Sequence, residues 1–373
     1  MNLSRGNYGM ITRIAILLIL LLGITDVFCT LQVLANEKQM VLDLNDAREL
    51  ALSRNASYAM AKLDFEAAEI EFRMSQADAL MKPSVIATKK AENTKRNTAR
   101  SLIAKKQALI LDVDTAYYSL LSAGMRLDIR KQGEEQAKDT VRIVKLKYDA
   151  GLASKAEVSS AEIQLQKALS ETLSAEGDLK LAALALNQVL GLNLDTRVVA
   201  TGVPESMAGE REEPDFRKDL AKALENRPEI TEARDALEIA GLEVMFSDND
   251  YTPELSKSLL RNVEEKIRIQ FEQVKQSVQI EAYRLYLAVQ NGRREMDVAR
   301  AVAIQEEENY RIMKIRYEYG MEIANTLLGA QVSLTEAKLA EIQAFINYDM
   351  AWLKYRNYVD YPATETNGAK QGD

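Results

Sequence analysis

Arg142-Ile143-Val144-Lys145-Leu146-Lys147-Tyr148-Asp149-Ala150-Gly151 and Arg311-Ile312-Met313-Lys314-Ile315-Arg316-Tyr317-Glu318-Tyr319-Gly320 stand 169 residues apart in the chain. Both close an apolar-periodic run on the same Tyr-x-x-Gly. Upstream at that shift, Lys106 meets Lys275, Gln107 meets Gln276, Tyr117 meets Tyr286 and Asp128 meets Asp297. Downstream, Ala161, Leu165 and Ala168 meet Ala330, Leu334 and Ala337, so residues 106–168 align with 275–337 without a gap. Coiled coils imitate one another by composition, but a shared glycine motif with matched flanks on both sides marks a duplication.

Each copy carries a seam that alternates steps of four and three. In the first it runs Leu109, Val113, Ala116, Leu120, Ala123, Leu127, is broken by Arg130 and Glu134, and resumes at Ala137, Val141, Val144 and Tyr148. In the second it runs from Val278, Ala282, Leu285, Val289 and Gly292 to Met313 and Tyr317. A 3.5-residue period predicts long, left-handed supercoiled helices. Beyond each glycine a second track begins, Val158-Ala161-Leu165-Ala168 in one copy and Leu327-Ala330-Leu334-Ala337 in the other. Gly151 and Gly320 are therefore hairpin tips, where glycine relieves the positive-φ penalty of a chain reversal. Alternate seam positions are Ala, which lets backbones approach closely and suits helices with neighbours on two sides, as in a cylinder.

Composition agrees with this all-α reading. There is one Trp, no His, six Pro and sixteen Gly in 373 residues, and the formal net charge is −8. No basic domain stands out, which excludes a general nucleic-acid binder. Lys89 to Lys106 is locally basic and is expected to be a solvated helix face. Arg5 and Arg13, the apolar run Ile14 to Ile24 and the small residues at Val33-Leu34-Ala35 read as a signal peptide over 1–35, cleaved after Ala35. A retained anchor is the alternative, disfavoured by Asp26. Phe28 before Cys29 argues against lipidation. Cleavage would leave a chain without Cys or His, which excludes disulfides and nucleophile–His catalysis and restricts any metal site to oxygen ligands. No catalytic, cofactor-binding or metal-ligating set is expected, and the protein is not expected to be an enzyme.

The organisation follows: a first helical repeat at 36–191, a linker at 192–216, a second repeat at 217–361 and a disordered tail at 362–373. Asp43 or Asn45 is placed to cap a short opening helix, whose counterpart starts near Asp219. The linker holds one short apolar run, Val198-Val199-Ala200, readable as a strand. Thr252-Pro253-Glu254 reads as N-cap, first-position Pro and first-turn acid. From Thr252 to Tyr317 a continuous helix would span roughly 100 Å at 1.5 Å per residue.

Four features now coincide in order: Leu42-Asp43-Leu44-Asn45-Asp46-Ala47, Ala51-Leu52-Ser53-Arg54-Asn55, Asn226-Arg227-Pro228-Glu229-Ile230, and the paired tips. Together with the duplication they resemble the TolC-like outer-membrane efflux protein family over almost the whole mature chain. The resemblance implies a homotrimeric α-barrel tube working with a periplasmic adaptor (membrane fusion) protein and an inner-membrane pump, exported to the cell envelope and placed in the outer membrane. It further implies adaptor docking at Tyr148, Gly151, Leu152, Tyr317, Gly320 and Met321, and pore-end positions at Glu157, Asn325 and Thr326. The second copy departs from the family's carboxylate-narrowed pore, because Asn325-Thr326-Leu327-Leu328-Gly329-Ala330 contains no acid. The larger departure is at the opposite end. Two transmembrane strands and a loop need well over twenty residues, and neither Met81 to Thr88 nor Phe246 to Tyr251 can hold them. The transmembrane strands are therefore expected to be missing. The expected function is an efflux or secretion duct subunit; the alternative is a non-conducting envelope scaffold reusing the same hairpins.

Overall fold

The computed structural model describes residues 40–81, 84–202 and 213–362. The expected signal segment with Cys29, part of the linker and all but the first residue of the expected tail lie outside them.

The first repeat opens with strand β1 (Met40–Leu42) and helix α1 (Leu44–Arg54), whose N-cap Asp43 accepts from the Asp46 N–H at 2.7 Å. Asn55 ends α1 and its Oδ1 accepts from the Tyr58 N–H as α2 (Ala56–Met81) begins. Helix α3 (Val85–Asp149) follows, N-capped by Ser84, then α4 (Lys155–Leu190) and strand β2 (Val198–Ala200). The second repeat contains α5 (Phe216–Asn226), α6 (Pro228–Ser247), α7 (Glu254–Glu318) and α8 (Ala324–Val359). The duplication is visible in length: α3 and α7 have 65 residues each, α4 and α8 have 36 each. At 1.5 Å per residue the long pair each span about 98 Å.

Helices α3 and α4 form one antiparallel hairpin and α7 and α8 the other; α2 runs along α3 and α6 along α7. Helix α8 also packs on α3 and joins the hairpins side by side. The heptad positions are the buried ones: Val113, Leu120, Val144, Val278, Ala282 and Val289 all lie in the core. Arg130, which breaks the first seam, is satisfied across the hairpin, its Nη1 donating to Glu171 Oε2 at 2.6 Å. Gly292 permits close approach, since a Cβ there would stand 3.3 Å from Tyr348 Cα.

Strand β2 forms where expected, and its parallel partner is β1, with Met40 opposite Val198. The Tyr117 hydroxyl donates to Leu42 O at 3.2 Å and ties this two-stranded sheet to α3. Three residues are too few for a strand period to be read, so β1 escaped the sequence. Gly191 ends α4 at φ +68°, and a Cβ there would stand 2.9 Å from the Arg54 carbonyl oxygen. The first repeat is thus closed at both its ends by one small layer of α1, β1 and β2.

Three local expectations are corrected. The second opening helix starts at Phe216 with Asp215 as N-cap, not near Asp219; Asp219 is buried and accepts from the Tyr355 hydroxyl at 2.9 Å. Thr252 does not cap α7. Its hydroxyl donates to Asn249 Oδ1 at 3.1 Å, and Pro253 takes the cap position through its carbonyl, which accepts from the Ser256 and Lys257 N–H groups. The basic stretch Lys89 to Lys106 is a solvated face only in part: Lys90, Lys105 and Lys106 are exposed, but its other side is buried. Its residues spaced three and four apart face α6, and Arg100 is 3% exposed. Arg100 Nη1 and Arg96 Nη2 meet the two oxygens of Asp235 at 2.7 and 3.3 Å. Lys89 reaches Glu238 at 3.0 Å and Lys90 reaches Glu243 at 2.7 Å.

The end remote from the tips agrees with the expectation about strands. Helices occupy the chain up to Met81 and from Val85, and up to Ser247 and from Glu254. Among the described residues the only sheet is β1–β2, and there is no closed barrel.

Candidate functional site at the paired hairpin tips

Both tips are Schellman turns. Gly151 has φ +74° and Gly320 φ +73°, the left-handed region in which a Cβ is penalised. Leu152 N–H donates to Lys147 O at 2.7 Å and Gly151 N–H to Tyr148 O at 2.9 Å. In the second copy Met321 N–H donates to Arg316 O at 2.8 Å and Gly320 N–H to Tyr317 O at 3.1 Å. These bonds consume the last helix carbonyls and turn Leu152 and Met321 outward, 77% and 67% exposed. Tyr319 and Ile323 beside them are exposed as well. The result is a rigid pair of apolar knobs at one end of the bundle.

Beneath the knobs the two hairpins share one core of Val141, Val144, Ala161, Tyr317, Ala324, Leu327 and Leu328. The paired tyrosines separate here: Tyr148 is largely exposed while Tyr317 is buried at 2%. Lys147, one residue before Tyr148, crosses to the other repeat. Its Nζ donates to Tyr317 O and lies 3.8 Å from the centre of the Tyr317 ring. Burial, followed by the nearby Glu157 charge, pushes the Tyr317 phenol above its ordinary value, and its hydroxyl is buried without a hydrogen-bond partner.

Glu157 belongs to a capping box. Its N–H donates to Ser154 Oγ at 3.2 Å, and its Oε2 accepts from the Ser154 N–H at 2.7 Å. Hydrogen bonds from Ser154, a further one from the Ala324 backbone and the charge of Lys147 hold its carboxyl below the usual range. Glu157 therefore caps the N-terminus of α4. Helix α8, by contrast, begins at Ala324 with Ile323 as an N-cap that supplies no side-chain hydrogen bond. Asn325 and Thr326 lie exposed in the first turn of α8. The tip set named from the sequence is thus gathered at one end, with Glu157 held in hydrogen bonds.

Lys147, Ser154 and Ile323 were missed. The Ser154-x-x-Glu157 spacing is a legible capping signature; the reach of Lys147 across repeats has no signature in its own neighbourhood. The tips present no nucleophile with a base, and among the described residues no cluster of three His, Cys, Asp or Glu is placed to hold a metal ion. Nor, among them, is any helix long and apolar enough to cross a membrane.

Duplicated antiparallel hairpins meeting at glycine tips define a helical fold of TolC type. The family model for outer membrane efflux proteins matches residues 85–192, which cover α3, the first tip and α4. The described chain has the fold of outer membrane channel proteins. The outer membrane channel CmeC of Campylobacter jejuni superposes with a TM-score of 0.70 at 15% identity, covering 87% of each chain. The outer membrane protein VceC of Vibrio cholerae gives 0.68 at 15%, covering 85% of this chain and 95% of that one. A membrane protein from Pseudomonas aeruginosa gives 0.69 at 18%, covering 85% and 93%. No curated protein sequence matches.

Proposed function

We propose that the chain is a duct subunit that closes with copies of itself into a trimeric helical tube, its tips docking a periplasmic adaptor coupled to an inner-membrane pump. The observation that carries this is the mismatch between two equivalent edges of the duplicated unit. Inside the chain, Tyr118 and Leu121 of α3 are buried against Ile342 and Ile346 of α8, with Met125, Ile129, Met350 and Leu353 around them. At the shift of 169 the same face of α7 carries Leu287 and Val298, and the same face of α4 carries Leu173 and Leu181. All four are exposed. The α7 edge of one copy is therefore built to receive the α4 edge of the next, as α3 receives α8. A head-to-tail contact of this kind forms a ring when its rotation closes; the number three is what the family resemblance implies.

The tube would span the periplasm with Leu152 and Met321 as adaptor contacts and Asn325 and Thr326 toward the pore end. Protein purified from cells expressing the full chain should sediment as a trimer and appear as a hollow cylinder by electron microscopy. A stable monomer would overturn the duct reading in favour of a non-conducting scaffold. Leu152→Glu with Met321→Glu should abolish adaptor binding without lowering helicity, since both side chains point to solvent; unchanged binding would remove the docking assignment.

A further inference from the structure

The half of the molecule remote from the tips contains a second pair of equivalent edges with opposite chemistry. Helix α2 matches α6 at a shift of 172, with Ala56 on Pro228, Ala61 on Ala233, Ala68 on Ala240 and Ser75 on Ser247. At this shift Asp235 corresponds to Leu63, and at 169 Arg100 corresponds to Ile269. Inside the chain, Asp235 and Arg100 are 9% and 3% exposed and bonded to each other. Their counterparts Leu63 and Ile269 are 63% and 53% exposed, on edges that none of the described residues covers. Around Leu63 stand Met60 and Ile70 of α2, and near Ile269 stands Leu259 of α7, the counterpart of Lys90; all three are exposed.

We infer that copies of this chain join in this half through an apolar seam of α2 against the neighbour's α7, while the equivalent α3–α6 seam within each chain is ionic. The inference rests on the ring proposed above and adds the chemistry that orders it. A neighbour's outer α2 edge laid against the Arg96–Arg100 face of α3 would set Leu63 where Asp235 stands, and a neighbour's α6 laid against the outer face of α7 would set Asp235 against Glu265 and Ile269, the counterparts of Arg96 and Arg100. A buried charge without its partner is strongly disfavoured, so each edge rejects the wrong neighbour and the two repeats must alternate around the tube. Glu66 and Glu71 keep the acids of Glu238 and Glu243. Their counterparts Glu238 and Glu243 are 48% and 28% exposed, toward the rim of the seam.

The ion pair can be transplanted to test this. Leu63→Asp and Ile269→Arg alone should each weaken self-association of the full chain at least tenfold by sedimentation equilibrium, with helicity unchanged by circular dichroism. The double variant should recover most of that loss. Independently, Leu63→Cys with Ile269→Cys in a Cys29→Ser background should be linked between chains by a short bis-maleimide, and neither single variant should be. If the wild type forms its ring but the single charges leave it unchanged, or the double is no better than the worse single, the apolar seam is wrong and the duct reading stands. A monomeric wild type overturns both.

Discussion

Glu157 shows how much one side chain does at the tips. Its carboxylate accepts from the Ser154 N–H and hydroxyl and closes the capping box of its own helix, while Ile323 at the start of the other returning helix supplies no side-chain cap. The capping box was legible as Ser154-x-x-Glu157, whereas the Lys147 bond to the Tyr317 carbonyl depends on the two tips meeting. The folded carboxyl is held below the ordinary glutamate value of 4.5. Its stabilisation is therefore fully present above that value and is lost as pH falls through the lower, folded one. Glu157→Gln should cost about 1 kcal/mol near neutral pH, in line with loss of a helix cap. Urea denaturation should show the gap between variant and wild type shrinking only below pH 4.5. A gap that is constant from neutral to strongly acid conditions would mean the charge has no part in the cap.

Elements were legible to the extent that their determinants lie along one helix. Heptad spacing and the two glycines placed α3, α4, α7 and α8 and their turns, because period and backbone conformation are properties of consecutive residues. The side chains that α3 offers to α6 were misassigned to solvent. A run such as Lys89, Lys90, Arg96 and Arg100 has the same pattern whether water or carboxylates lie opposite. That seam is not fully satisfied: Asn93 Nδ2, Arg96 Nε and Arg100 Nε are buried without hydrogen-bond partners. Desolvating such groups costs free energy, so the seam serves selectivity more than stability. Asp235→Ala should destabilise the chain by about 3 kcal/mol by leaving the guanidiniums unpaired. Asp235→Leu combined with Arg100→Ile should recover most of that in urea denaturation; failure to recover would show that the ion pair itself contributes the stability.

For the whole molecule the deciding fact is that a duplicated unit satisfies its own edges only once. Each exposed Leu on the outer α4 edge represents about 1.5–3 kcal/mol of burial still to be gained. Leu173→Glu with Leu181→Glu should therefore dissociate the assembly in sedimentation experiments while leaving the monomer's helicity intact. Retention of the oligomer would place the contact elsewhere.

The sequence by itself determined the long helices, their antiparallel pairing, the duplication and the tips, and it left no room for membrane strands at the far end. Only the tertiary structure decided that Tyr317 is buried while Tyr148 is not, and that Arg100 is buried while Ile269 is exposed. The reason is physical. Periodicity and turn chemistry act between residues a few positions apart, but burial depends on which helix lies opposite. Among the described residues the inner copy of each edge has a neighbour and the outer copy has none.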